Sequence, residues 1–225
     1  MCLLPVAGLS IVLAACGGSG SSHEPAGGRQ ASKAMLPQMV VPDASLVRLA
    51  GELPRKYAFF ATAEDATAST TDPNDTAADM RRLGRIAGYV RGRNATGAFT
   101  PRAPKGLLAM GTSVLLWRDS QAAAASIERA IAEGKRFRGK AVEGGVLMAV
   151  DVSDEPSLGP GAVLLRGHMR PTGGTDRFNT AVLFRVGSLR GNAVVVRSDG
   201  QSADRTALRL AEQLRRRMVA ALRRQ

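Results

Sequence analysis

The segment Val163–Arg197, VLLRGHMRPTGGTDRFNTAVLFRVGSLRGNAVVVR, decides the fold class of this chain. Three runs within it predict β-strands: Val163–Met169, Asn179–Val186 and Ala193–Arg197. Turn residues separate these runs at Pro171–Gly174 and Gly187–Asn192, where glycine accepts the positive φ values that tight hairpins require. The segment therefore predicts consecutive antiparallel strands.

Further strands are predicted on the N-terminal side of this segment. Val142–Val152 continues the strand-like alternation, and Arg85–Arg91 alternates charged and apolar positions as a half-buried strand does. Ser113–Trp117 (SVLLW) is a short apolar run that we interpret as another strand. The predicted sheet therefore contains strands from residue 85 to residue 197.

Helical patterns flank and interrupt these strands. A short helix is expected after Pro42, and a longer one begins at Asp119 or Ser120 and is expected to end at Gly134. A final helix begins near Ser202 and has the apolar face Ala207, Ala211, Leu214, Met218 and Leu222. We therefore expect an α+β fold in which an antiparallel sheet of about five or six strands carries helices packed on one face.

The N-terminal residues predict export. Leu3–Ala15 is an apolar run, shorter than the roughly 20 residues that a membrane-spanning helix needs but suited to a signal-peptide core. The run ends in Leu13-Ala14-Ala15-Cys16 and is followed by GGSGSS. This order of hydrophobic core, small residues, cysteine and polar spacer resembles the lipobox of bacterial lipoprotein precursors.

The lipobox resemblance implies a covalent lipid anchor. Residues 1–15 would be removed as a signal peptide, and the thiol of Cys16 would receive diacylglycerol and hold the protein on the extracytoplasmic face of the cell membrane. Residues 16–34, rich in Gly, Ser and Ala, would then form a flexible tether, and residues 35–225 a single domain. One departure is that such leaders normally begin with Lys or Arg, whereas the first basic side chain here is Arg29.

The domain carries a second, weaker resemblance. The GRIAGYVR strand at Gly84–Arg91, the SVLLWRDSQAAAAS junction at Ser113–Ser126 and the final amphipathic helix are similar to segments of uncharacterised lipoproteins of high-GC Gram-positive bacteria. This similarity implies an extracytoplasmic location and an α+β fold, and it assigns no catalytic residue.

Charge and cysteine content restrict the partners. The net charge is +12, and Met1–Cys16 contributes no acidic or basic side chain, so the exported domain is basic. Such a charge attracts anionic lipid, acidic polymers or nucleic acid, and export makes nucleic acid an unexpected partner. Cys2 and Cys16 are the two cysteines of the chain, and Cys2 lies in the leader, so we expect no disulfide in the domain.

Catalytic and metal-binding patterns are sparse. His168 is the candidate general base of an envelope hydrolase, but no Gly-x-Ser-x-Gly nucleophile motif accompanies it, and a surface histidine is the favoured interpretation. Asp151, Asp154 and Glu155 do not have the spacing of an EF-hand loop, and no phosphate-binding loop is present. We therefore predict no catalytic residue, no metal and no cofactor.

The C-terminal helix is basic. Its arginines are candidates for contact with an anionic surface: Arg209, Arg215, Arg216, Arg217, Arg223 and Arg224. The alternative is a helix docked on the sheet with its arginines solvated, which the Ala- and Leu-rich apolar face favours.

Taken with the anchor, these features predict a membrane-anchored lipoprotein that acts as a non-enzymatic binding or accessory module of the cell envelope. Its expected partners are the bilayer, through acylated Cys16, and another envelope protein or a small ligand. Two alternatives stay open: an envelope hydrolase that uses His168, and a peripheral membrane or polyanion-binding module that acts through the C-terminal arginines.

Overall fold

The computed structural model describes residues 31–50, 53–64, 76–95, 106–142 and 145–224. Within them, eight strands form one sheet in the order β1-β2-β3-β8-β7-β6-β5-β4, with all neighbours antiparallel. The strands are β1 (Arg55–Ala61), β2 (Arg85–Asn94), β3 (Leu107–Trp117), β4 (Ala141–Val142), β5 (Gly145–Asp154), β6 (Val163–Pro171), β7 (Arg177–Val186) and β8 (Leu189–Arg197). The predicted α+β fold with an antiparallel sheet is confirmed.

Two α-helices precede β1, two more lie among the first four strands, and one follows β8. They are α1 (Leu36–Met39), α2 (Asp43–Ala50), α3 (Ala77–Arg82), α4 (Ser120–Phe137) and α5 (Asp204–Arg223). Asp119 caps α4 as predicted, because its carboxylate accepts a hydrogen bond of 2.6 Å from the backbone N–H of Ala122. None of the helices in the described ranges is both long and apolar enough to cross a bilayer.

Helices cover both faces of the sheet. In β7, Val182 and Phe184 belong to the core cluster that includes α1, α2 and α5, whereas Ala181 and Leu183 pack with Ile127 of α4. Successive side chains of a strand point to opposite faces, so α4 lies across the sheet from α5. The expectation of helices on one face is therefore wrong, because the central strands are apolar on both sides and each side needs a cover.

The sheet is also wider than the five or six strands expected. Two strands were not predicted: β1, an edge strand with mostly exposed residues, and β4, which has two residues. In addition, β8 begins at Leu189, which pairs with Val186 across a turn shorter than the predicted Gly187–Asn192. An edge strand that buries little lacks the alternation from which strands are predicted.

Gly134 does not end α4, which continues to Phe137. A Cβ atom at position 134 would lie 3.0 Å from Cγ1 of Val150 on β5. The glycine therefore permits close approach of the helix to the sheet, and the interpretation of this residue as a helix stop is wrong.

Three charged side chains are buried between α4 and the sheet. Arg129, Glu133 and Arg190 are 4%, 1% and 2% exposed, and Arg129 Nη2 lies 3.8 Å from Glu133 Oε1. Arg190 Nη1 donates to the carbonyl oxygen of Ser126 at 3.1 Å. Burial lowers the pKa of Arg190 to about 10, against the opposing effect of the nearby Glu133, so the guanidinium stays charged at neutral pH. Glu133 is thus a buried counter-charge to two arginines.

We expect Glu133→Gln to lower the free energy of unfolding by about 3 kcal/mol, because it removes the carboxylate while both guanidinium groups stay buried and charged. Urea unfolding followed by far-ultraviolet circular dichroism measures the change. Glu128→Gln, on the exposed side of the same helix, is the control and should stay within about 0.5 kcal/mol of the native protein. Equal effects of the two substitutions would contradict the role of the buried carboxylate.

Polar contacts attach the N-terminal segment to the sheet. Arg93 on β2 donates from two nitrogens to the Asp43 carboxylate, at 2.7 and 2.8 Å. The backbone N–H of Val41 donates to Thr112 Oγ1 on β3 at 3.1 Å. The hydrogen bonds from Arg93 hold the pKa of Asp43 below its ordinary value. The start of α2 is therefore fixed on the α5 face of the sheet.

This ion pair predicts a defined pH dependence. Because the pKa of Asp43 is lower in the folded than in the unfolded chain, its stabilising effect is present above about pH 4 and is lost as the pH falls through the folded-state value. Arg93→Gln should raise the pKa of Asp43 toward 3.8 in an NMR titration of the carboxyl group. Arg91→Gln, which removes a charge without a hydrogen bond to Asp43, should have a smaller effect. An unchanged pKa in the Arg93 variant would refute the assignment.

Candidate functional site

The described chain enters the domain beside β1. Cys16 lies outside the described residues, so its lipidation stays a prediction. Lys33–Met35 forms a 3-10 turn, and Ala31 and Met35 pack against the core on the α5 face. The ammonium group of Lys33 lies 5.3 Å from the ring centroid of Phe60 on β1. The first described residues therefore lie near this edge of the sheet.

Exposed apolar side chains concentrate at the same edge. Phe59 and Phe60 on β1 are 45% and 42% exposed, and Ile86 on β2 is 59% exposed. Among the described residues, the other exposed large hydrophobic side chain is Val47 at 37%. Phe59 and Phe60 are successive residues, so their rings flank the edge on its two faces. The outer edge of β1 pairs with none of the described strands.

Tyr57 anchors this edge strand. Its ring lies across Gly92 and Gly111, where an added Cβ atom would come within 2.3 Å and 3.0 Å of the tyrosine hydroxyl oxygen. Burial raises the pKa of Tyr57. The two glycines thus leave room for one aromatic ring to pack inward, while the following aromatic residues of β1 stay exposed.

A surface pocket of about 300 Å³ opens beside Phe60 and Ile86. Lys33 and Arg85 also line it, and Arg81 at its wall forms an ion pair with Glu64. This volume lies at the lower limit of small-molecule sites. Its lining combines apolar groups with three cationic side chains and the carboxylate of Glu64, so positive charge is in excess.

The edge is basic as well as apolar. Lys33, Arg55 and Lys56 are exposed, and within the described part of the chain none of them forms an ion pair with a carboxylate. On the α5 face, burial lowers the pKa of Arg217, and the nearby charges of Arg91 and Arg224 lower it further. Positive charge therefore extends from β1 to the C-terminal part of α5.

The six predicted arginines of α5 do not form one contact patch. Arg209, Arg216 and Arg223 are exposed and follow each other at intervals of seven residues, nearly two helical turns, so they form one outer stripe. Arg215 and Arg224 lie on different flanks of that stripe by the same periodicity. Arg217 donates from Nε to the carbonyl oxygen of Val40 at 2.9 Å and thereby holds the N-terminal segment.

The apolar face of α5 is occupied by the sheet. Leu210, Leu214 and Met218 have no exposed surface and pack in the core on β7 and β8. The helix therefore has no apolar face left to insert into a bilayer. Contact with an anionic surface through this helix would depend on its outer arginines.

His168 belongs to the β6–β7 hairpin. Its Nε2 lies 2.7 Å from Oδ2 of Asp176, and its ring stacks on Phe178 with centroids 4.6 Å apart. Hydrogen bonds from His168 and Arg170 hold the pKa of Asp176 below its ordinary value. No hydroxyl or thiol in the described ranges is hydrogen-bonded to the His168 ring. Among the described residues, the hydrolase alternative therefore has no nucleophile hydrogen-bonded to this imidazole.

Of the three acidic residues considered as metal ligands, Asp151 on β5 belongs to an ion-pair network. Asp151 accepts from Arg166 at 2.7 Å, and Arg166 also reaches Asp204 at the start of α5 at 2.9 Å. No group of three or more His, Cys, Asp or Glu side chains arranged for a metal ion occurs in the ranges that the structure describes. These carboxylates link β5, β6 and α5.

Sequence reasoning missed the residues of the β1 edge. Lys33 was assigned to the tether, and Phe59, Phe60 and Ile86 were not singled out. A signal was present, because the segment RKYAFFA contains three of the nine aromatic residues of a chain that is 4% aromatic. Local aromatic density, more than strand alternation, marks this edge.

Comparison with known proteins gives a fold and no family. No protein-family model matches the chain, and no curated protein matches it. Among solved structures, the chain is similar to the extracellular domain of PknH from Mycobacterium tuberculosis, with a TM-score of 0.55 and 11% sequence identity. The match covers 88% of this chain and 100% of that domain. At this identity the similarity establishes a shared fold alone.

Proposed function

We propose that this protein is a lipid-anchored module on the extracytoplasmic face of a bacterial cell membrane, where it binds another envelope component without catalysing a reaction. The observation that carries the proposal is the order of the N-terminal residues: an apolar run, then Leu13-Ala14-Ala15-Cys16, then GGSGSS. Acyl chains on Cys16, at about 0.8 kcal/mol per buried methylene, make such an anchor effectively permanent.

The fold supports an extracytoplasmic location. The solved structure that this chain resembles is described as an extracellular domain, and it is matched over its whole length. The described domain folds around apolar clusters on both faces of its sheet, and no cysteine follows Cys16 in the sequence. Its stability therefore depends on core packing and needs no disulfide.

The geometry of the β1 edge supports a binding role. Exposed apolar rings, the ammonium group of Lys33 and a pocket of about 300 Å³ lie together where the described chain enters the domain. Such a combination of apolar and cationic groups recognises an anionic amphiphile or an acidic protein surface. The imidazole of His168, by contrast, is hydrogen-bonded to Asp176 and stacked on the ring of Phe178.

Metabolic labelling tests the anchor. In cells grown with radiolabelled palmitate, the native protein should carry label and Cys16→Ser should carry none, because the acylated thiol is missing. Cys2→Ser is the matched control, since it makes the same change at the other cysteine and should keep the label.

Equal labelling of the Cys16→Ser variant and the native protein, or an unlabelled native protein, would refute the proposal. Alkaline washing of isolated membranes provides an independent measurement. The native protein and Cys2→Ser should stay with the membrane pellet after the wash and leave it when detergent dissolves the bilayer.

A further inference from the structure

We infer that the domain lies on the anionic membrane surface through its β1 edge, with the rings of Phe59 and Phe60 and the side chain of Ile86 at the headgroup boundary. This inference deepens the proposed function, on which it rests for the presence of a bilayer. It assigns a membrane-facing surface that differs from the arginine-rich helix.

The first argument is the concentration of exposed apolar surface. Phe59, Phe60 and Ile86 lie on two adjacent strands at one end of the sheet, and each is at least 42% exposed. Phe60 contacts Tyr89 edge-on at a centroid distance of 5.0 Å, so the ring is oriented by packing and still open to solvent. Aromatic and branched apolar groups surrounded by cations are the groups that enter the boundary between headgroups and acyl chains.

The second argument is charge. Lys33 is exposed at the Phe60 ring, Arg55 and Lys56 are exposed at the other end of β1, and the chain carries a net charge of +12. Two copies of so basic a protein repel one another, whereas an anionic bilayer attracts each copy. Charge complementarity therefore favours a membrane surface over a second copy of this chain as the partner of the free strand edge.

The third argument is the position of the anchor. Lys33 contacts Phe60, and the 16 residues 17–32 lie between it and Cys16. The tether predicted from the composition of this stretch would have an r.m.s. end-to-end distance of roughly 20–25 Å. A lipid on Cys16 would thus keep the β1 edge, rather than another part of the domain, close to the bilayer and at high effective concentration.

Vesicle flotation tests the inference with a protein that has no lipid of its own. The chain from residue 16 to 225 with Cys16→Ser retains every residue that the structure describes. It should float with vesicles of phosphatidylglycerol and phosphatidylcholine, fail to float with phosphatidylcholine alone, and lose binding as salt is raised.

Two matched pairs of variants of this chain locate the contact. Phe60→Ser combined with Ile86→Ser should weaken binding at least about tenfold, whereas Val47→Ser, at the exposed hydrophobic residue of α2, should leave it unchanged. Replacing Lys33, Arg55 and Lys56 by Gln should weaken binding more than replacing Arg209, Arg216 and Arg223 by Gln. Both triple variants remove the same charge. Circular dichroism and thermal melts verify that each variant is folded.

Three results would overturn the inference. The first is that the unlipidated chain with Cys16→Ser does not bind anionic vesicles. The second is that replacing the three α5 arginines weakens vesicle binding more than replacing the three cations of the β1 edge. The third is a dimer in sedimentation equilibrium that dissociates on substitution of Phe60 and Ile86, which would assign the edge to a second copy. Palmitate labelling is measured on the lipidated protein, whereas vesicle binding is measured on the unlipidated chain. The two experiments therefore distinguish an absent lipid anchor from an absent contact between the β1 edge and the membrane.

Discussion

The central constraint on this structure is that the middle strands of the sheet are apolar on both faces. Val163, Leu164 and Leu165 are three successive residues, each at most 4% exposed. Neighbouring side chains of a strand point in opposite directions, so such a run needs cover on both sides. Helix α5 with the N-terminal helices supplies one cover, and α4 supplies the other. The two-layer arrangement of helices follows from this burial.

The cover is incomplete at the β1 end, and this is where the candidate functional groups lie. Most contacts of α4 with the sheet are to β7, β8, β3 and β5, and α5 packs mainly on β8 and β7. β1 is held instead by its ladder to β2 and by Tyr57 over Gly92 and Gly111. A strand attached in this way keeps its position while its remaining side chains face solvent. The fold therefore provides a strand edge with exposed apolar and basic groups.

The sequence predicted the elements whose residues divide clearly between core and solvent. The capped start of α4 and the apolar face of α5 are such elements, whereas β6, β7 and the second half of β8 were predicted as apolar runs bounded by turn residues. The sequence did not predict β1, because its residues are mostly exposed and show no alternation. Gly134 was also wrongly predicted to end α4. This position needs a glycine because Val150 on β5 packs against it, and the neighbouring sequence does not distinguish such a glycine from one that ends a helix. Helices on both faces were not predicted, because the strands were expected to alternate apolar and polar residues and so to bury a single face of the sheet.

The arginine content of α5 illustrates why charge alone does not locate a binding surface. The helix buries its apolar side, uses Arg217 to hold the N-terminal segment, and distributes its other arginines over an outer stripe and two flanks. A net charge of +12 attracts the whole domain to an anionic surface without selecting an orientation. Orientation requires a local feature, and exposed apolar groups next to the chain entry at Lys33 provide it. A sheet that stands on its β1 edge would place the opposite edge roughly 30 Å from the bilayer, given the spacing of about 4.8 Å between strands.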